Sequence, residues 1–220
     1  ALEMAAVSNA CDLTPPSNGL EFPPCGVDDL PHIFRPVSEG GILTQKGTVE
    51  VVSSLERDGR PVFRDLRWGV YVVFEAPSQY VIDCFSQYGL KTDSTGKYAA
   101  MYKPYHLIGL ELGISVASIA VRSESTGATG EWKGDVVATA KRALKAGEKL
   151  DGEGGFTVYG KLMTAADSLK LGALPIGLAH NMILKNNISA GQPVCWTDVD
   201  YDATHQAIAF RREMEKVFRK

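Results

Sequence analysis

The chain has 220 residues, 45% hydrophobic and 22% charged, with 23 basic against 26 acidic side chains and a formal charge of −3. This is ordinary globular composition, and the chain is long enough to bury a core without disulfide staples. Intrinsic disorder, collagen-like repeats and a disulfide mini-protein are therefore excluded. No run of Lys and Arg tracks a phosphate backbone, so no nucleic-acid partner is expected; no uncharged apolar stretch is long enough for a bilayer span, so no membrane partner is expected either.

In chain order, the residues Ala1 to Cys11 are strong helix formers with Leu2, Ala5, Ala6 and Val7 on one side. That helix opens without an N-cap, and we read the chain as a piece of something longer. The breakers Thr14 to Gly19 lead into a proline-rich loop that runs to His32 and carries Phe22, Val27 and Leu30. Thr48 to Leu55 predicts a strand and Arg57-Asp58-Gly59 a tight turn, followed by an extended run from Pro61 to Arg67. Trp68 to Phe74 reads as a central strand covered on both faces. Pro77 predicts a helix start, with Tyr80, Val81, Cys84, Phe85 and Tyr88 as its apolar stripe and Gly89 as its stop. Pro104 to about Val121 reads as a buried helix, apolar nearly all round.

Composition shifts over Arg122 to Gly130, where small and polar residues mark a boundary. Beyond it the chain echoes itself: Lys141, Leu144, Ala146, Gly147 and Leu150 recur as Lys185, Ile188, Ala190, Gly191 and Val194. A constant offset implies two β-turn units packed about a pseudo-twofold. Thr204 to Lys220 predicts a helix buried through Ala207, Phe210, Met214 and Val217. The fold class expected is α+β, an open sheet with packed helices followed by a β-clip and a C-terminal helix. The expected domains are 1–122, a linker over 123–133, 134–202, and the helical tail 203–220.

Several residues carry candidate chemistry. Lys103 and His106 flank Pro104, at what the pattern makes a helix start, where free N–H groups and the dipole suit a phosphate; Tyr105 lies between them. Glu111 interrupts an apolar run and must be paired, neutralised or set at a cavity, which fits a general acid/base, a metal ligand or a structural ion pair with an arginine. Asp93-Ser94-Thr95-Gly96-Lys97 offers hydroxyls and a cation to a phosphate through Ser94, Thr95 and Lys97, although a plain surface turn explains the same residues. Asp28 and Asp29 have the oxygens that Mg²⁺ or Mn²⁺ takes, and adjacent carboxylates equally start helices. Arg64 and Arg67 alternate with Phe63 and Leu66, to face a substrate anion or, more simply, as the polar face of an edge, and His32, His180 and His205 are scattered. Cys11, Cys25, Cys84 and Cys195 lack zinc spacing and read as reduced thiols of a cytoplasmic protein; Cys25 has no neighbouring base to make it a nucleophile.

Two resemblances join these pieces. Ala140 to Leu150 and Ile188 to Val199, with a lysine-rich entry and a hydrophobic-x-x-Gly-x-x-hydrophobic turn, resemble the SAF domain, a β-clip module, over about residues 134–201. Phe22 to Pro31, Val49 to Pro61 and Tyr102 to Glu111 resemble homoserine-dehydrogenase-like NAD(P)-dependent oxidoreductases with a C-terminal SAF domain, in particular the Brucella-type 1-deoxy-D-xylulose-5-phosphate reductoisomerase-like proteins. The resemblance implies NADPH- and divalent-metal-dependent conversion of deoxyxylulose phosphate to methylerythritol phosphate, in isoprenoid biosynthesis, or a related semialdehyde reduction. Its members place a Rossmann domain first, and no Gly-x-Gly-x-x-Gly follows a strand in this sequence. The expectation is therefore a small-molecule sugar phosphate as substrate, a homo-oligomer, and a fragment that alone neither binds NADPH nor turns over. The alternative is a stand-alone SAF-type module for carbohydrate binding or oligomerisation.

Overall fold

The computed structural model describes residues 1–219. Helices and strands follow in the order α1 (Leu2–Cys11), α2 (Leu30–Ile33), β1 (Val70–Glu75), α3 (Gln79–Gln87), β2 (Lys91–Thr92), β3 (Tyr98–Lys103) and α4 (Leu112–Ala117). Then come β4 (Gly134–Ala140), β5 (Val158–Thr164), α5 (Ala165–Leu171), β6 (Ile183–Leu184), β7 (Val199–Asp200) and α6 (Gln206–Phe218). This is the expected α+β class. The chain divides into two compact units, one of residues 21–46 and 51–128, the other of 1–20, 47–50 and 129–220. The opening helix, grouped by sequence with the residues that follow it, belongs in space to the later unit.

In the first unit β3 is the middle strand of an antiparallel sheet ordered β1-β3-β2. Side chains alternate across a strand. Tyr71, Val73, Ala100 and Tyr102 therefore face one way, where they pack on Cys25, Leu30, Phe34 and Leu66. Phe74 and Ala99 face the other way and are met by Phe85, Val81 and Ile82 of α3. α3 covers only that end, so the opposed pairs Val70–Lys103 and Val72–Met101 stay open. The expectation of a central strand covered on both faces is thus corrected: β1 is an edge strand, half open on one side.

Residues 48–67 hold no regular strand. They run extended through isolated bridges, including Leu55 to Pro61 around the expected turn, where Gly59 takes φ +86°. The helix near Pro77 starts two residues later, at Gln79 with Ser78 as its cap, and exposes Tyr80 and Tyr88.

The largest correction concerns the predicted buried helix Pro104 to Val121. β3 continues through Lys103, and Gly109 takes φ +88°, a left-handed conformation that an α-helix does not admit. Helix therefore begins only at Leu112, with Glu111 as N-cap, and passes into a π-helical turn over Ser118–Arg122. Its apolar side chains are exposed, not buried.

The second unit carries the main core, with Leu144, Leu150, Leu174, Val194 and Val199 among its fully buried side chains. The sequence echo is a true pseudo-twofold of the backbone. Leu144 N–H donates to Ile188 C=O at 2.8 Å and Ile188 N–H returns to Leu144 C=O at 3.0 Å. Gly147 N–H to Leu184 C=O at 2.7 Å is matched by Gly191 N–H to Ala140 C=O at 2.8 Å, and Leu150 to Met182 by Val194 to Ala138, both 2.8 Å. Asn9 ties α1 to the start of β4, its side-chain oxygen accepting from Lys133 N–H at 2.7 Å and Gly134 N–H at 2.8 Å.

α6 forms where expected but buries a different stripe. Phe210 and Val217 are exposed, while Ile208, Arg211 and Glu215 face inward. Arg211 grips Asp135 through Nη1 at 3.1 Å and Nη2 at 2.5 Å, and its guanidinium lies 4.6 Å over Trp132. Glu215 accepts from Trp196 Nε1 at 3.0 Å and Arg211 Nε at 2.9 Å. An apolar-stripe reading misses this face because its burial is satisfied by charge pairing. Among the described residues no helix is long and apolar enough to cross a membrane.

Gly147 at φ +86° and Gly191 at φ +78° occupy equivalent turns with open space where a Cβ would project. Gly147→Ala and Gly191→Ala are each expected to lower stability by about 1 kcal/mol through backbone conformation alone. Denaturant titration of the two variants checks this, and equal losses are expected from the symmetry.

Candidate functional site

The three residues singled out for catalysis converge. Lys103 ends β3, His106 lies in the following turn, and Glu111 caps α4. Glu111 receives Lys103 Nζ on Oε1, and His106 Nδ1 stands 2.8 Å from its Oε2. The Lys103 ammonium also lies 5.0 Å from the Tyr105 ring centre, which adds a cation–π contact. The hydrogen bond from Lys103, followed by that with His106, holds the Glu111 carboxyl below the usual carboxylate range. Glu111 is therefore ionised and anchors two proton-bearing groups. Both partners are half exposed, so each keeps bonding capacity for a ligand. The predicted helix-end phosphate cradle is not formed, because Pro104 does not open a helix.

The other candidates are committed to the fold. Asp93 is buried, bonds Arg35 Nη1 at 2.8 Å, and accepts from Thr95 Oγ1 at 2.8 Å and from Tyr98 N–H at 3.0 Å. Lys97 is held by Glu39 at 2.9 Å and Glu75 at 2.8 Å, and these hydrogen bonds raise its pKa. Ser94 is exposed at the turn tip. With Thr95 turned onto Asp93 and Lys97 neutralised twice, this turn locks sheet to loop; it has no free cation for a phosphate. Glu39 escapes a sequence reading because it lies 58 residues from Lys97, with no local pattern to join them.

Asp28 and Asp29 do not fit a metal. Asp28 takes Arg64 Nη1 at 2.5 Å and Lys91 Nζ at 3.0 Å, and the Lys91 hydrogen bond leads in lowering its pKa. Asp29 precedes α2 and accepts the Gly26 N–H at 3.3 Å. Among the described residues no three His, Cys, Asp or Glu side chains gather as metal ligands. Arg67 pairs with Asp65 at 3.3 Å, and His180 Nδ1 bonds the Asp151 carbonyl at 2.8 Å.

The glycine-rich run Gly152, Gly154, Gly155 does not fit a dinucleotide phosphate either. The backbone N–H groups just after it are taken by the chain's own Asp151, which accepts from Phe156 N–H at 2.5 Å and Thr157 N–H at 3.1 Å. A Cβ on Gly155 would sit 2.1 Å from that carboxyl carbon. Partial burial pushes the Asp151 pKa up, but the Thr157 hydroxyl and these N–H donors outweigh it and bring the value to about 2.

Two family models match the chain: oxidoreductase DRL, catalytic domain, over residues 1–112, and the SAF domain over residues 135–200. No curated protein sequence matches it. The first match covers the Lys103, His106 and Glu111 cluster, and the second spans both arms of the pseudo-twofold.

Two solution measurements follow. Burial, then the Asp29 charge, pushes the Cys25 thiol up to about 12, so it stays protonated and out of reach. At about pH 8, iodoacetamide is expected to modify exposed Cys11 and spare Cys25, read by peptide mass. The Asp151 carboxyl has its pKa depressed by folding, so its stabilisation is complete above about pH 4 and is lost as pH falls through about 2. Asp151→Asn is expected to flatten acid unfolding in that window, followed by circular dichroism.

Proposed function

The chain belongs to the oxidoreductase DRL catalytic-domain family, and we propose that it carries the substrate-handling, acid–base part of a reductoisomerase acting on a small keto-sugar phosphate. The substrate class we favour is 1-deoxy-D-xylulose 5-phosphate, converted to 2-C-methyl-D-erythritol 4-phosphate. The observation that carries this reading is the convergence of Lys103 and His106 on the one carboxylate of Glu111.

Rearranging and reducing a hydroxyketone needs a hydroxyl proton removed, an oxygen stabilised as it gains negative charge, and a proton returned there. Lys103 has three donors and gives Glu111 one, which leaves ammonium protons for a carbonyl oxygen. His106 is held through Nδ1; with its proton on that nitrogen, Nε2 is the free acceptor that takes a hydroxyl proton. Glu111 orients both and offsets the imidazolium that forms. A nicotinamide supplies a hydride when such an enzyme binds one. The steps assigned to this chain's own residues are proton handling and charge stabilisation.

Activity is to be followed as NADPH oxidation by the full-length protein, with 1-deoxyxylulose 5-phosphate, other sugar phosphates and aspartate semialdehyde. Lys103→Ala is expected to lower kcat about 10²-fold or more, as loss of an oxyanion donor does. His106→Asn is expected to lose a comparable factor, since its side chain offers no basic nitrogen to take the hydroxyl proton. The side chains are exposed, so near-native thermal unfolding is expected for both. Full kcat in a folded Lys103→Ala variant would remove the reading.

A further inference from the structure

The chain holds three tryptophans. Two are stacked within the second unit: Trp132 meets Phe218 and Arg211, and Trp196 meets Tyr201 and Arg212. The third, Trp68, lies in the first unit and is 77% exposed. Among the described residues its indole joins no ring or cation contact. Its backbone stands at φ +71°, in the left-handed region where a bulky side chain is an outlier, and Arg64 just before it stands at φ +51°.

Strained backbone persists only where its surroundings fix it. Between these two residues Leu66 is buried with Cys25, Leu30 and Phe34, and the Arg64 carbonyl accepts the Val27 N–H at 2.9 Å. After them Gly69 lies flat on β3: a Cβ there would collide with the Tyr102 ring and stand 2.5 Å from the Lys103 carbonyl oxygen. Val70, the next residue, is the strand partner of Lys103. That pairing and two peptide units keep the Cα atoms of Trp68 and Lys103 within about 12 Å of each other, a span that two long side chains and one small molecule fill.

We propose that Trp68 is a substrate-binding residue, whose indole stacks on the carbon-bound hydrogens of a small keto-sugar phosphate while the ligand's oxygens meet Lys103 and His106. The strain brings the indole no burial, so packing does not account for it. A sugar phosphate has an oxygen-bearing edge and a C–H face. Lys103 and His106 serve the edge. Nothing in their cluster serves the face, because the Tyr105 ring already carries the Lys103 ammonium. An indole is a broad apolar plane with few rotatable bonds, and one fixed in place before binding loses little freedom when the ligand arrives. The ligand and its position come from the catalytic reading above; the apolar wall is the addition.

The test is calorimetric titration of the full-length protein with 1-deoxyxylulose 5-phosphate, with NADP⁺ present in place of NADPH so that no hydride is available. Trp68→Gly is expected to weaken binding about tenfold, the scale of one lost aromatic stack, and Trp68→Phe by less than about threefold. Glycine takes a left-handed φ without strain, so Trp68→Gly is also expected to raise the denaturant midpoint above that of the wild type. A residue that served packing would lower both together, and that result would overturn the proposal. Unchanged affinity in Trp68→Gly, or a wild type that gives no binding heat, would overturn it as well. Unchanged affinity in Trp68→Gly beside a Lys103→Ala variant that loses kcat would remove the stacking and leave the catalytic reading. Weakened affinity with a raised midpoint beside full kcat in Lys103→Ala would do the reverse.

Discussion

The pleat of β3 governs what the first unit can do. Alternation along this strand sends Ala100 and Tyr102 into the core beneath Phe34 and Leu66, and sends Met101 and Lys103 to the opposite side. The core side holds the strand in register; without it Lys103 would have no fixed address. Because the register runs to the last residue, the chain leaves the sheet at Pro104 and turns at Gly109, which brings Glu111 back over the lysine it left eight residues earlier. A single-residue slip of β3 would exchange Lys103 for Tyr102 on the open face and dissolve the cluster.

The second unit answers a different constraint, that of burying polar groups. Asp135 and Glu215 are each less than a tenth exposed, and every charge on them is met: Arg211 bridges the two, Ser168 adds a hydroxyl to Asp135, and Trp196 adds an indole N–H to Glu215. Removing one partner from such a set leaves a buried charge uncompensated, which costs more than the pair contributes. α6 is therefore fastened through its ions, and its apolar residues Phe210 and Val217 are left at the surface.

What could be read from the sequence follows from how far each interaction reaches along the chain. The echo around Gly147 and Gly191 was legible because a repeat writes its symmetry as a spacing, and the backbone bonds obey it pair by pair. Lys103, His106 and Glu111 were each legible as chemical types out of place. Their convergence was not, since the apolar run from 107 to 121 imitates a buried helix and hides the turn at Gly109. The pairings of Lys97 with Glu39, Asp28 with Arg64 and Arg211 with Asp135 were illegible for a simpler reason: each partner is dozens of residues away, and nothing local records the pairing. The Asp151 clamp, by contrast, had a local signal in an aspartate just ahead of a Gly-x-Gly-Gly loop.

The bond between Asn9 and Gly134 spans 125 residues, and it bears on how the protein is made. During synthesis α1 leaves the ribosome well before the strand it rests on, whose first residue comes 125 positions after Asn9. Isolated helices of that length are marginal in water, so the nascent α1 has no lasting structure of its own. The residues between, those of the sheet bearing Lys103, are complete and able to collapse while that helix still waits. Assembly thus closes a long loop late, the topological condition under which folding slows and unfinished chains depend on chaperones.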